Sequence, residues 1–264
     1  MYIINKNFIQ CELDKWHETL VKKYNINQIA YIALYGSQNY HLSTEKSDVD
    51  VKAIYIPTLE EAIFNKNRVS TTLISENGGH CEIKDIREMN EMFIKQNINF
   101  IEILFTDFYW INPDYSIEIN KIRQYRNWIA FCNKDIGFLS ILGQAKNAYH
   151  IFEKSKNIKH LTKLLFFWDF LNEYIENNNY QECLFATETH FNGFCDFGTT
   201  TQELILGLKR NELNAQEFEQ LNIILPTLKT SLDNIPNYYK KSFNSSEGCK
   251  ELLDRIALSM IKSH

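Results

Sequence analysis

The sequence predicts an α+β protein, with a small mixed β-sheet domain followed by an all-helical domain. Three observations predict it. Over the first hundred residues, short apolar runs stopped by Gly or Pro alternate with amphipathic stretches. After Asp107 the strand signals largely vanish. From there on, stretch after stretch carries apolar residues at helical spacing.

Taken in order, Cys11–Tyr24 places Leu13, Trp16, Leu20 and Val21 on one helical face. Ile29–Tyr35 is a short apolar run ending at Gly36, which suits a buried strand stopped by a turn. Val49–Ile56 is a second strand, ended by Pro57. Thr58–Phe64 reads as a short helix with Thr58 as N-cap and Glu61 in the capping-box position. Arg68–Ser75 and His80–Asp85 flank Glu76-Asn77-Gly78-Gly79, a hairpin signal. Arg87–Gln96 and Asn99–Phe105 follow as helices. Beyond them Tyr115–Phe131, Ile136–Glu153, Ile158–Glu176, Thr200–Arg210, Ala215–Leu225 and Ser246–Ile261 read as amphipathic helices, with Pro226 and Pro236 punctuating the end of the helical half. The expected domains are 1–106 and 107–264, joined by a short junction near Thr106–Asp114. So short a junction implies that the two parts form a cleft.

Composition narrows the function. A hydrophobic fraction of 44% and a charged fraction of 23% are those of a globular chain, so extensive disorder is excluded. The net charge of -5 excludes a globally basic nucleic-acid coat, and any polyanion must meet a local basic patch. The start, MYIINKNFIQC, lacks a basic region followed by an apolar run and a cleavage site. No apolar run reaches the roughly 18 residues of a membrane span. Cys11, Cys81, Cys132, Cys183, Cys195 and Cys249 are scattered without a CxxC pair, as reduced thiols would be. The expectation is a cytoplasmic protein with no membrane partner.

The chemistry lies in Leu34–Ile56, LYGSQNYHLSTEKSDVDVKAIYI. A strand runs into Gly36-Ser37, and after ten further residues Asp48-Val49-Asp50 opens the next strand. Residues two apart on a strand point the same way, about 6.6 Å along it at roughly 3.3 Å per residue. Two carboxylates so placed suit a pair of divalent cations. Mg²⁺ favours carboxylate and phosphate oxygens, and paired metals clamp the attacking and leaving oxygens of a phosphoryl displacement. Gly36 allows close backbone approach, and Ser37 offers an N–H and a hydroxyl to a phosphate oxygen. A lone DxD is commonly a solvated strand edge after a β-turn. Here turn and acids both adjoin apolar strands, where carboxylates are costly to bury without a partner.

Gly-Ser, ten residues, Asp-x-Asp resembles the signature of the DNA polymerase β-type nucleotidyltransferase superfamily. The spacing is that of the minimal nucleotidyltransferases, which include antitoxin-type protein adenylyltransferases. The longer stretch, with Tyr40, Leu42, Ser47, Asp48, Asp50 and Pro57, resembles the RNA-ligase-associated branch of bacteria and phages. Asn99, Glu102 and Leu104 in NINFIEIL and Lys159-His160-x-x-Lys163 are looser echoes.

The resemblance implies a third carboxylate on a neighbouring strand, from Glu82 or Asp85. Alternation puts His80, Glu82 and Lys84 on one face and Cys81, Ile83 and Asp85 on the other. Cys81 and Ile83 look like the core face, which leaves Glu82 over the cleft and Asp85 to cap the next helix. In the helical half Lys146, Lys154, Lys156, Lys159, His160 and Lys163 are concentrated. Lys159 and Lys163 are i, i+4 neighbours with His160 beside them, able to hold a triphosphate or to form a solvated basic face. His160 is equally a packed core histidine. Tyr40 and His41 either stack on a base or cover the sheet end.

By resemblance, then, the chain moves a nucleoside monophosphate from an NTP, ATP first, to a hydroxyl with release of pyrophosphate. Asp48, Asp50 and Glu82 ligate two Mg²⁺, with Mn²⁺ as substitute, and Glu82 helps deprotonate the acceptor. Gly36 and Ser37, with Lys159, His160 and Lys163, hold the phosphates. The acceptor is an RNA 3′ end. The rival readings are adenylylation of a protein and a non-catalytic binding module of the same fold.

Overall fold

The computed structural model describes residues 6–189, 200–213, 215–235 and 246–263. Cys195 and Pro236 lie outside them. The chain forms two compact units: Met1–Asn39, Lys46–Asn133 and Ser245–His264 make the first, Tyr40–Glu45 and Lys134–Asn244 the second.

The first unit is built on a five-stranded sheet of β1 (Ile29–Tyr35), β2 (Asp50–Tyr55), β3 (Ser70–Ile74), β4 (His80–Asp85) and β5 (Tyr109–Ile111), in the order β3-β4-β2-β1-β5. β2 and β4 run parallel and the other neighbours antiparallel, so the sheet is mixed. Helix α1 (Lys6–Lys23) lays Ile9, Leu13, Trp16 and Leu20 on one face of the sheet. They meet Ile32, Leu34, Val51, Ala53, Cys81 and Ile83 there, the alternate residues of β1, β2 and β4. The other face of β2 and β4 therefore carries Asp50, Lys52, His80, Glu82 and Lys84.

α2 (Leu59–Ile63) has the full capping box between Thr58 and Glu61. α3 (Ile86–Ile94) is capped by Asp85, which accepts from the Arg87 N–H at 2.9 Å and pairs with the Arg87 guanidinium at 2.6 Å. α4 (Ile98–Ile101) continues as a 3-10 turn over Glu102–Leu104. The stretch expected as one helix over Tyr115–Phe131 breaks at Tyr125 into α5 (Ser116–Gln124) and α6 (Arg126–Ala130).

Three further features depart from the sequence expectation. The three-residue β5 lies just beyond Asp107 and pairs with β1; so short a strand has no period to detect. The first unit runs on to Asn133, past the expected junction near Thr106–Asp114. It also takes back the last helix, which the sequence places in the helical half.

The second unit holds α7 (Lys134–Ser155), α8 (Ile158–Glu176), α9 (Tyr180–Leu184), α10 (Ala186–Thr189), α11 (Thr201–Arg210) and α12 (Ala215–Asn234). α7 and α8 pack so closely that a Cβ on Gly137 would lie 2.1 Å from Tyr174 Oη. α11 is opened by a capping box between Thr200 and Glu203. Pro226 lies inside α12, which continues eight residues beyond it to Asn234, so it does not end the helix. The last helix, α13 (Glu247–Lys262), packs in the first unit against α3 and α5. Asn90 Nδ2 there donates to the Leu253 carbonyl at 2.9 Å. The overall class is α+β with a helical C-terminal part, as the sequence predicts. No described helix is long and apolar enough to cross a membrane. Of the described cysteines Cys11 is exposed, the other four are buried, and all five are free thiols.

Candidate active site

β1 ends at Tyr35, and the chain turns at Gly36 with φ +85°, in the left-handed region that favours glycine. The Asn39 N–H donates to the Gly36 carbonyl at 2.8 Å and closes the turn. From below, Glu102 Oε1 accepts the Gly36 N–H at 2.9 Å. Glu102 is fully buried, and desolvation carries its carboxyl well above the usual range, against the opposing pull of the Gly36 bond. Gln38, also buried, reaches the carbonyls of Ser47 and Asp48 at 3.4 Å each. The two ends of the connecting segment are thereby tied together. Ser37 is half-buried on the turn.

Asp50 is the first residue of β2 and lies opposite Tyr35. A Cβ on Gly36 would stand 4.0 Å from Asp50 Oδ2, so turn and carboxylate are neighbours. The parallel register pairs Val51 with Cys81 and so sets Asp50 beside His80. Asp50 Oδ1 accepts the His80 backbone N–H at 2.9 Å and lies 3.2 Å from His80 Nδ1. Asp48 is exposed two residues earlier. One ligand atom from each of Asp48, Asp50 and His80 falls within 4.8 Å of the others. Two carboxylates and an imidazole this close fit a divalent cation, the carboxylates as oxygen donors and the imidazole as a nitrogen donor.

Glu82 keeps the face that alternation assigns it, but its carboxylate is engaged elsewhere. Lys52 Nζ lies 2.5 Å from Glu82 Oε2, and Lys84 Nζ 3.7 Å from Oε1. Lys52 is buried between the rings of Tyr35 and Phe100, 3.9 and 4.1 Å from their centroids. Burial pushes its pKa down while the Glu82 carboxylate works against that shift. The expected third carboxylate is therefore the partner of a buried lysine, and the donor gathered with the two aspartates is His80. Asp85, the other candidate, is a buried helix cap on the opposite face.

Lys159, His160 and Lys163 lie on α8 of the second unit, both lysines exposed and the histidine half-buried. Lys146 lies 3.8 Å from Asp233. Tyr40 stacks on Phe166 at 4.5 Å, and His41 Nδ1 is 2.6 Å from Glu188 Oε1, both within the second unit. These contacts pack both residues against the helices α8 and α10, not over the end of the sheet.

Sequence reasoning missed His80, Lys52 and Gln38, and noted Glu102 only as an echo. The signal for Lys52 was present. It shares the Asp50 face by alternation, a cation where only a counter-charge makes burial tolerable.

No protein-family model matches the chain, and no curated protein does. Among solved structures, a nucleotidyltransferase-like protein from Exiguobacterium sibiricum 255-15 aligns with 96% of this chain and 74% of its own, at 11% identity and a TM-score of 0.30. A likeness so distant assigns no residue a role. The roles rest on the side chains themselves.

Proposed function

We propose that this chain transfers a nucleoside monophosphate from an NTP, ATP first, to the hydroxyl of an RNA 3′ end, releasing pyrophosphate. The observation that carries the reading is the convergence of Asp48 and Asp50 beside the Gly36 turn. The RNA acceptor rests on the resemblance of the longer Tyr40–Pro57 stretch alone.

Divalent cations held by Asp48 and Asp50 would neutralise the triphosphate and polarise the reacting oxygens. Gly36 contributes shape: its N–H is spent on Glu102, and its missing Cβ leaves room for a phosphate beside Asp50. Ser37 next to it supplies an N–H and a hydroxyl for a phosphate oxygen. The buried Glu102 and Gln38 fix the turn before substrate arrives, which is how positioning lowers a barrier. Glu82 holds Lys52 and is left out of the ligand set. Lys159, His160 and Lys163 carry no role in this reading.

The test is incubation with each labelled NTP, a divalent cation and RNA or protein acceptors, followed by gel analysis. Label should enter RNA, and Asp48→Asn with Asp50→Asn should abolish it while the fold persists, since two amides match the carboxylates in shape without their charge. Label on protein would reassign the acceptor. No transfer from any NTP, or full transfer by the double variant, would overturn the reading.

A further inference from the structure

We infer that His80 is the third ligand of the cation site, and that the site consequently takes Mn²⁺ or another first-row transition ion in preference to Mg²⁺. The inference deepens the proposed nucleotidyl transfer and rests on that reading for the identity of the site.

Two independent features lead to it. The first is the donor set. Asp48, Asp50 and His80 each offer an atom within 4.8 Å of the others, and His80 is anchored by its own backbone N–H to Asp50 at 2.9 Å. The parallel β2–β4 register delivers this arrangement: residue 80 opens β4 opposite residue 50, which opens β2. The second is the withdrawal of the alternative. Glu82 stands two residues along the same face, but it neutralises Lys52, a cation that is 1% exposed. Turning Glu82 to a metal would leave a buried ammonium without its carboxylate, which destabilises the folded chain. Lys84 at 3.7 Å draws the same carboxylate.

The choice of ion follows from the donors. Mg²⁺ seeks six oxygens in near-ideal octahedral array and keeps its waters. An imidazole nitrogen is a softer donor that favours transition ions, while two carboxylates keep the site hospitable to Mn²⁺. Exchanging a carboxylate for an imidazole also makes the ligand set less negative by one charge. That weakens a purely electrostatic hold on Mg²⁺ more than a hold with a share of covalency.

The experiment is titration of the full chain with Mn²⁺, read by the electron paramagnetic resonance signal of free Mn²⁺ and repeated against Mg²⁺ as competitor. Wild type should bind Mn²⁺ and yield it only to a large excess of Mg²⁺. His80→Ala should weaken Mn²⁺ at least about tenfold, since even outer partners of a ligand cost that much, and should erase the preference. His80→Asp, an all-oxygen set, should let Mg²⁺ compete more nearly on equal terms. Glu82→Gln, with circular dichroism to confirm that it folds, should keep the wild-type Mn²⁺ affinity. Undiminished Mn²⁺ binding by His80→Ala, or its loss in folded Glu82→Gln, would overturn the inference. Mn²⁺ binding that depends on His80 without transfer from any NTP would sink the functional reading and leave this one standing. Transfer with binding indifferent to His80 would do the reverse.

Discussion

Glu102 shows how one buried carboxyl can hold a turn. It is shut away from solvent with Oε1 on the Gly36 N–H, and burial carries its pKa well above the usual value. An unfolded chain sheds that proton near pH 4.3, whereas the folded protein keeps it to a higher pH. Stability from this group is therefore fully present below about pH 4.3 and is lost as pH rises through the folded value. Glutamine cannot ionise and keeps a carbonyl oxygen for Gly36. Glu102→Gln should consequently gain on wild type as pH is raised from 4 to 8, measured as the difference in urea midpoint at each pH; a difference that stays constant would mean the carboxyl titrates normally. The same scale shows why the site was half legible. Asp48 and Asp50 declare themselves because acids two apart at the head of an apolar strand have few structural reasons to be there. His80 and Glu82 do not, because they lie on one face at equal claim. Which of them meets the aspartates depends on the β2–β4 register and on Lys52 arriving opposite Glu82, and neither is written in local spacing.

Elements with their own punctuation were read almost to the residue. β1 and β4 match the apolar run before Gly36 and the stretch after Gly79. α2 and α11 begin at their capping boxes, and α8 runs from the Asn157 cap to Glu176 as the apolar stripe implies. Where tertiary packing overrides local chemistry, local punctuation misleads. Proline ordinarily stops a helix, since it removes one hydrogen bond and crowds the carbonyl four residues back. α12 nevertheless passes through Pro226, because Leu221 and Ile224 before it and Leu228 and Leu232 after it are all buried along one stripe. Pro226 itself is exposed, so that stripe does not depend on its ring. The helix therefore carries a cost of up to about 3 kcal/mol relative to alanine. Pro226→Ala should raise stability by about 1–3 kcal/mol, seen as a higher urea midpoint with unchanged slope. A lower midpoint would mean that the ring contributes to the packing of α12 after all.

At the scale of the whole molecule, the chain does not divide where its signals change. The first unit is left at Asn133 and completed only by its return at the C-terminal end, so the unit that bears Asp50 and His80 is closed by a helix more than 150 residues from them in sequence, packed on α3, α5 and α2. α13 places Leu253, Ile256, Met260 and Ile261 in the buried set, and the inward Asn90 amide finds its acceptor on the Leu253 carbonyl. Four such side chains at about 1.5–3 kcal/mol each amount to roughly 6–12 kcal/mol of gross burial. That is of the same order as the whole net stability of a domain, about 5–15 kcal/mol. No local pattern could announce this, because the amphipathic stripe of α13 is complementary to any apolar groove and does not say which. Removal of residues 246–264 should therefore undo the first unit. The truncated chain should lose amide-exchange protection in β1, β2 and β4 and, with it, the Mn²⁺ binding proposed above, although every proposed ligand is still present. If those strands stay protected and Mn²⁺ still binds, α13 is an ornament on a unit whose sheet α1 and α3 suffice to hold.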